Sequence, residues 1–141
     1  MSLFIRQDVF DTVLNHLRKQ GPATDDRGEC VYRTAEGKRC AVGVLIPDDM
    51  YDPDIEGGSC GLVAHTFTYP PCTGRSHALK ATMDRVYPTL TEDDWWFLKA
   101  LQVAHDDSAD NGMERFEGAM ADVAEKHGLI YTPGAEAEPR A

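Results

Sequence analysis

Positive charge is what this chain is short of. It has 14 Lys and Arg against 24 Asp and Glu, for a net charge of −10. That balance argues against a basic face for nucleic acid and against an anionic membrane surface. Long apolar runs are also missing, and none approaches the roughly 18 residues of a membrane span. Met1 to Ile5 shows no charged stretch leading into an apolar one, so no signal peptide and a cytosolic setting are expected. Cysteines number only four, at positions 30, 40, 60 and 72, with no close pair among them. A cytosolic setting disfavours disulfides between them. The chain also lacks a phosphate-cradling glycine loop, a P-loop and a nucleophile elbow.

What is present fits one soluble domain of 141 residues, 42% hydrophobic and 27% charged. Ile5, Val9, Phe10, Val13, Leu14 and Leu17 follow a helical period, and Gly21-Pro22 stops it. Cys30 to Ile46 reads as a β-hairpin: a strand Cys30–Arg33, a turn Thr34–Gly37 and a second strand from Lys38 to Ile46. In that register Arg33 faces Lys38. Gly43 inside the second strand suggests a bulge or a close approach by another backbone. Residues 47 to 74 look irregular, with a short strand possible over Leu62–Thr68. Three helices follow. The first spans about Ser76 to Val86. The second starts at a Thr91/Asp94 capping box and runs to about His105. The third spans about Met113 to His127 and ends at Gly128. The tail from Thr132 to Ala141 is expected to be disordered. The fold class expected is therefore α+β: an N-terminal helix, a hairpin enlarged into a small antiparallel sheet, and three C-terminal helices over one face. One domain covers residues 1–131.

Several residue groups invite a chemical reading. Cys60, His65, Cys72 and His77 are zinc-type ligands, but their spacing matches no standard zinc pattern. Asp106, Ser108, Asp110 and Glu117 fall at positions one, three, five and twelve of a calcium loop, with Asn111 where glycine is usual. A solvated turn with aspartates capping the third helix is the plainer expectation. The earlier Asp52–Gly57 stretch has no carboxylate at the twelfth place. His105-Asp106 is the dipeptide of metal phosphohydrolases, but the other ligands of such sites are not evident. At a helix end, His105 would serve the helix dipole. No metal and no cofactor are expected.

The blocks Cys30-Val31-Tyr32-Arg33, Gly37-Lys38-Arg39-Cys40-Ala41-Val42-Gly43, Leu45-Ile46-Pro47-Asp48, Tyr51 and Glu56-Gly57 form one pattern. Leu101-Gln102 and His105-Asp106 extend it. This pattern resembles a family of small uncharacterised proteins carried by tailed bacteriophages and prophages. The likeness covers about residues 1–131 and is densest over 30–57. Val44 departs from it, standing where a further cysteine would fit. The resemblance implies a phage origin and expression in the host cytoplasm, and no particular chemistry.

The acids are unevenly spread. Residues 41–72 hold five of them and no Lys or Arg, and residues 92–127 hold ten acids against three basic residues. Mutual repulsion at such spacing gains an isolated fold nothing, whereas a basic partner relieves it. The expected function is that of a small acidic phage accessory protein that binds a host macromolecule, such as a defence component or a nucleic-acid-binding protein. The expected partner is a host protein with a basic surface, without direct nucleic-acid or membrane contact. The candidate partner-binding residues are Asp48, Asp49, Tyr51, Asp52, Asp54 and Glu56 in the mid-chain loop, and Asp106, Asp107 and Asp110 in the later acidic turn. The alternative is a small enzyme or metal-dependent hydrolase using the Cys/His residues or the His105-Asp106 corner.

Overall fold

The computed structural model describes residues 3–25 and 27–133. Helix α1 spans Arg6–Gln20, α2 Cys60–His65, α3 Gly74–Val86, α4 Glu92–Asn111 and α5 Met113–His127. Residues 134–141, most of the tail expected to be disordered, lie outside the described residues.

The helices with strong sequence signals form where expected. Val9, Phe10, Val13, Leu14 and Leu17 of α1 are buried, and Gly21 closes it by donating its N–H to the Leu17 carbonyl. Thr91 and Asp94 form both halves of a capping box at the start of α4. Gly128 ends α5 in the left-handed region, at φ 68°. Trp95, Phe97, Leu98 and Leu101 of α4 join Phe116 and Met120 of α5 in one core with the α1 residues. The core thus sits between the long helices and the irregular segment that follows α1.

The expected α+β class is corrected, because the described residues contain no sheet. The hairpin region keeps its turn, with Gly37 at φ 93°, and one antiparallel bridge across it, between Arg33 and Arg39, while Cys30 bridges back to Thr24. The Arg33–Arg39 bridge lies one residue away from the expected Arg33–Lys38 register. The reason no strand pair forms is that side chains take the places of the ladder. Glu56 accepts from the amides of Tyr32 and Arg33. Gln20 brackets Arg39, accepting from its N–H and donating to its carbonyl. Gln102 accepts from the Val42 amide. Once side chains satisfy these groups, a partner strand adds nothing. The chain from Gly43 to Leu45 then tightens into a 3₁₀ turn. Gly43 does meet another backbone closely: a Cβ there would collide with the Tyr32 carbonyl oxygen.

Two further element expectations change. Leu62–Thr68 is not a strand, since Ser59 caps the short helix α2 by accepting from the Leu62 amide. Helix α4 does not end at His105 but continues to Asn111. Its last turns stay helical because His105 and Ser108 remain buried, and the Ser108 hydroxyl donates to the His105 carbonyl.

Candidate functional site

The cleft between α4 and the irregular segment is built by one turn of α4. Gln102, His105 and Asp106 project from that turn toward residues 23–42. His105 is wholly buried. The Ala23 amide donates to its Nε2 at 2.9 Å. That nitrogen therefore carries a lone pair and the proton sits on Nδ1. The Nδ1–H donates to Asp106 Oδ1 at 3.0 Å. Gln102 donates to the same oxygen at 3.1 Å while its own oxygen holds Val42. The Val31 amide donates to the Ala23 carbonyl, which draws residue 30 alongside. The ligand atoms of Cys30, His105 and Asp106 consequently all lie within 4.8 Å of one another.

The cleft that Gln102 and Asp106 border has a volume of about 230 Å³. Cys30, Tyr32, Glu56, Cys60 and Lys99 also line it, together with Gly57, Gly58 and Gly61. Tyr32 is fixed by donating its hydroxyl to the Gly58 carbonyl. Glu56 is fully engaged, because besides the two amides it accepts from the Tyr51 hydroxyl at 2.6 Å. Asp106 is the carboxylate with room to spare, its side chain 48% exposed. Burial opposes its ionisation, but hydrogen bonds from His105, Cys30 and Gln102 outweigh that and hold its pKa below the usual value.

This arrangement is poorly suited to nucleophilic or metal chemistry. Desolvation, followed by the charge of Asp106, pushes the Cys30 thiol up to about 12. Desolvation likewise pushes Cys60 to about 12. Thiols so shifted are protonated at neutral pH, and the thiolate is the reactive form. His105 has no nitrogen free to act as a base. Coordination of a metal through Nδ1 would move its proton to Nε2, directly against the Ala23 N–H. The donor set does not fit a metal ion for that reason.

The residues singled out in the sequence fall in several places. Asp48 pairs with Arg33 at 2.8 Å and with Arg39 at 2.6 Å. Cations from the preceding turn thus offset the mid-chain acids, which sequence distance hides. Tyr51 lies under the Arg33 guanidinium, 4.6 Å from the ring centroid. Asp52 caps the 3₁₀ turn Pro53–Ile55 by accepting from the Asp54 amide. Asp49 and Asp54 are exposed. Asp106, Asp107 and Asp110 lie on α4 and not in a loop, so the calcium-loop geometry does not form. Glu117, its twelfth position, instead grips Arg18 with both oxygens, at 2.7 and 2.8 Å. His105 is not at a helix end but inside the core. Cys60 and Cys72 are not gathered with His65 and His77: Cys60 is buried, and His65 is exposed and stacked on Tyr69.

A second feature lies beside the cleft on the outer face of α4. Glu92, Trp96, Lys99, Val103, Asp107 and Asp110 follow one another at helical spacing. Trp96 is 41% exposed and Val103 46% exposed. Trp96 donates from its indole N–H to Glu92, and the Lys99 ammonium sits 5.8 Å over its ring. Between this stripe and α5 runs a groove of about 500 Å³, walled by Ala100, Ala119 and Val123. Lys99 and Val103 border both groove and cleft. In sequence Trp96 stands among the apolar residues Trp95, Phe97 and Leu98. The signal that sets it apart is its phase, one residue from Trp95 and three from Lys99. No family model, curated protein or solved structure matches this chain. No helix among the described residues is long and apolar enough to cross a membrane.

Proposed function

We propose that this protein works by binding a partner protein with a basic surface, through the outer face of α4. The observation that carries this reading is the half-exposed Trp96 and Val103, set in a row with the acids Glu92, Asp107 and Asp110. Exposed tryptophans ringed by polar groups are recurrent anchors of protein interfaces. Charge complementarity speeds and orients such encounters. The resemblance to small phage proteins supplies the setting, which is a host protein met in the bacterial cytoplasm. Direct contact with nucleic acid or membrane forms no part of the reading. The mid-chain acids contribute less than their number suggests, because Asp48, Asp52 and Glu56 serve internal contacts.

The test compares capture from a bacterial lysate by the wild-type chain, Trp96→Ala and Asp107→Asn/Asp110→Asn. Carbodiimide coupling then maps which carboxylates meet partner lysines. Both variants are expected to capture less of the same protein, with couplings at Asp107 or Asp110. The interaction should weaken steeply with salt, since screening acts over roughly 8–10 Å at physiological ionic strength. Equal capture by all three chains would refute the reading.

A further inference from the structure

We infer that the cleft beside α4 receives an arginine side chain of the partner, with Asp106 as its counter-charge. This inference rests on the binding face proposed above and names what the adjacent cleft contributes. A cleft of about 230 Å³ is sized for one side chain rather than for a cofactor or a folded segment. The residues that line it include Val31, Tyr32 and Val103 together with Gly57, Gly58 and Gly61. Such walls suit the methylene stem of an arginine.

At the cleft wall, Asp106 has its Oδ1 held by the His105 Nδ1–H and by Gln102. Those donors fix the carboxylate without neutralising it. Among the described residues no Lys or Arg forms an ion pair with it, and the Lys99 ammonium stands over the Trp96 ring instead. A carboxylate held this way loses little further freedom on binding, and its other oxygen, Oδ2, can accept a charge-assisted hydrogen bond from a guanidinium N–H. Position adds the third argument. Lys99 and Val103 border both the cleft and the Trp96 groove. A partner segment seated on Trp96 therefore has the cleft mouth within a residue or two of its path.

The experiment uses the full chain and small probes. N-acetyl-arginine amide is titrated into ¹⁵N-labelled protein, with N-acetyl-citrulline amide as its uncharged counterpart. The expected result is saturable shifts at Val31, Tyr32, Gly58, Gly61 and the Gln102 side-chain amide. The dissociation constant should be on the order of millimolar, as befits so small a ligand. Citrulline should bind at least about tenfold more weakly, since its neutral urea cannot form an ion pair with the carboxylate. Asp106→Asn should abolish the arginine response while keeping an oxygen for His105 and Gln102. Val103→Arg, a change at an exposed site, should place the chain's own guanidinium at the carboxylate and block the probe. It serves as the second variant if Asp106→Asn folds poorly. Absent or scattered shifts, equal binding of citrulline, or an unchanged response in a folded variant would overturn the assignment. A silent cleft together with Trp96-dependent capture overturns the cleft alone. A responsive cleft with capture indifferent to Trp96 overturns the binding face alone.

Discussion

Replacing Glu56 with alanine should cost more stability than any other single change to an acid of the mid-chain loop. Its two oxygens accept from the Tyr32 amide at 2.9 Å, the Arg33 amide at 3.1 Å and the Tyr51 hydroxyl at 2.6 Å. Hydrogen bonds to a charged acceptor contribute about 1.5–3 kcal/mol each, and stranded donors cost most when water cannot reach them. Here the site borders an open cleft, so the lower end of that range applies to each. The three bonds also share one carboxylate and are not additive. A loss of about 3 kcal/mol follows. For a domain this long, each kcal/mol shifts Tm by about 3–5 °C, so Glu56→Ala should melt about 10 °C lower. Glu56→Gln keeps one acceptor oxygen and should lose about half as much. Urea titration and thermal melts followed by circular dichroism measure both. Double-mutant analysis with Tyr51→Phe should return a coupling of about 1 kcal/mol between the two side chains. If Glu56→Ala melts within about 2 °C of the wild type, the carboxylate is not what holds this segment and the account of the missing sheet fails.

Four further outcomes are expected. Val42→Asp should leave the chain unfolded at 25 °C, because Val42 is fully buried and a lone carboxylate there has no partner; Gly43→Ala should cost at least about 3 kcal/mol from its clash with the Tyr32 carbonyl, read by urea titration. Cys30, although exposed, should react with iodoacetamide at pH 7.5 at least about tenfold more slowly than a free cysteine, and Asp106→Asn should restore part of the rate. Burial opposes ionisation of Glu117, but the Arg18 and Tyr131 hydrogen bonds outweigh it and lower its pKa from 4.5. The unfolded chain then binds the proton first as pH falls, so this contribution is complete above pH 4.5 and is lost as pH falls through the folded pKa; Glu117→Gln should lower Tm at pH 7 and flatten its decline below pH 4.5.

The parts of the fold that sequence reveals are those whose causes are local. Helix α1 follows from the spacing of Val9, Phe10, Val13, Leu14 and Leu17, and the start of α4 follows from Thr91 and Asp94, three residues apart. The middle of the chain is governed by groups far apart in sequence. Glu56 lies 24 residues from the Tyr32 amide it accepts from, and Gln102 lies 60 from Val42. No period or cap reports such a pairing, so β-rich, turn-punctuated residues read as a hairpin. The same holds for the site. His105-Asp106 stood out as a dipeptide, yet its meaning depends on Ala23, 82 residues away from His105. The acids of residues 48–56 read as uncompensated because Arg33 and Arg39 precede them by a full turn of irregular chain.

Helix α4 divides its duties by face, and that division makes a binding role separable from folding. Trp95, Leu98, Leu101, His105 and Ser108 are buried, and Gln102 with His105 ties the irregular segment to the helix by accepting from the Val42 and Ala23 amides. Trp96, Val103 and Asp110 occupy the opposite phase and are exposed. An exposed tryptophan on a helix gives up hydrophobic stabilisation that burial would return, about 1.5–3 kcal/mol for a large apolar side chain. Glu92, one turn before it, and Lys99, one turn after, hold its indole, which lowers the entropy it would lose on being covered. The apolar area that Trp96 and Val103 leave uncovered thus lies on the same helix as a carboxylate, Asp106, that the buried His105 holds in position.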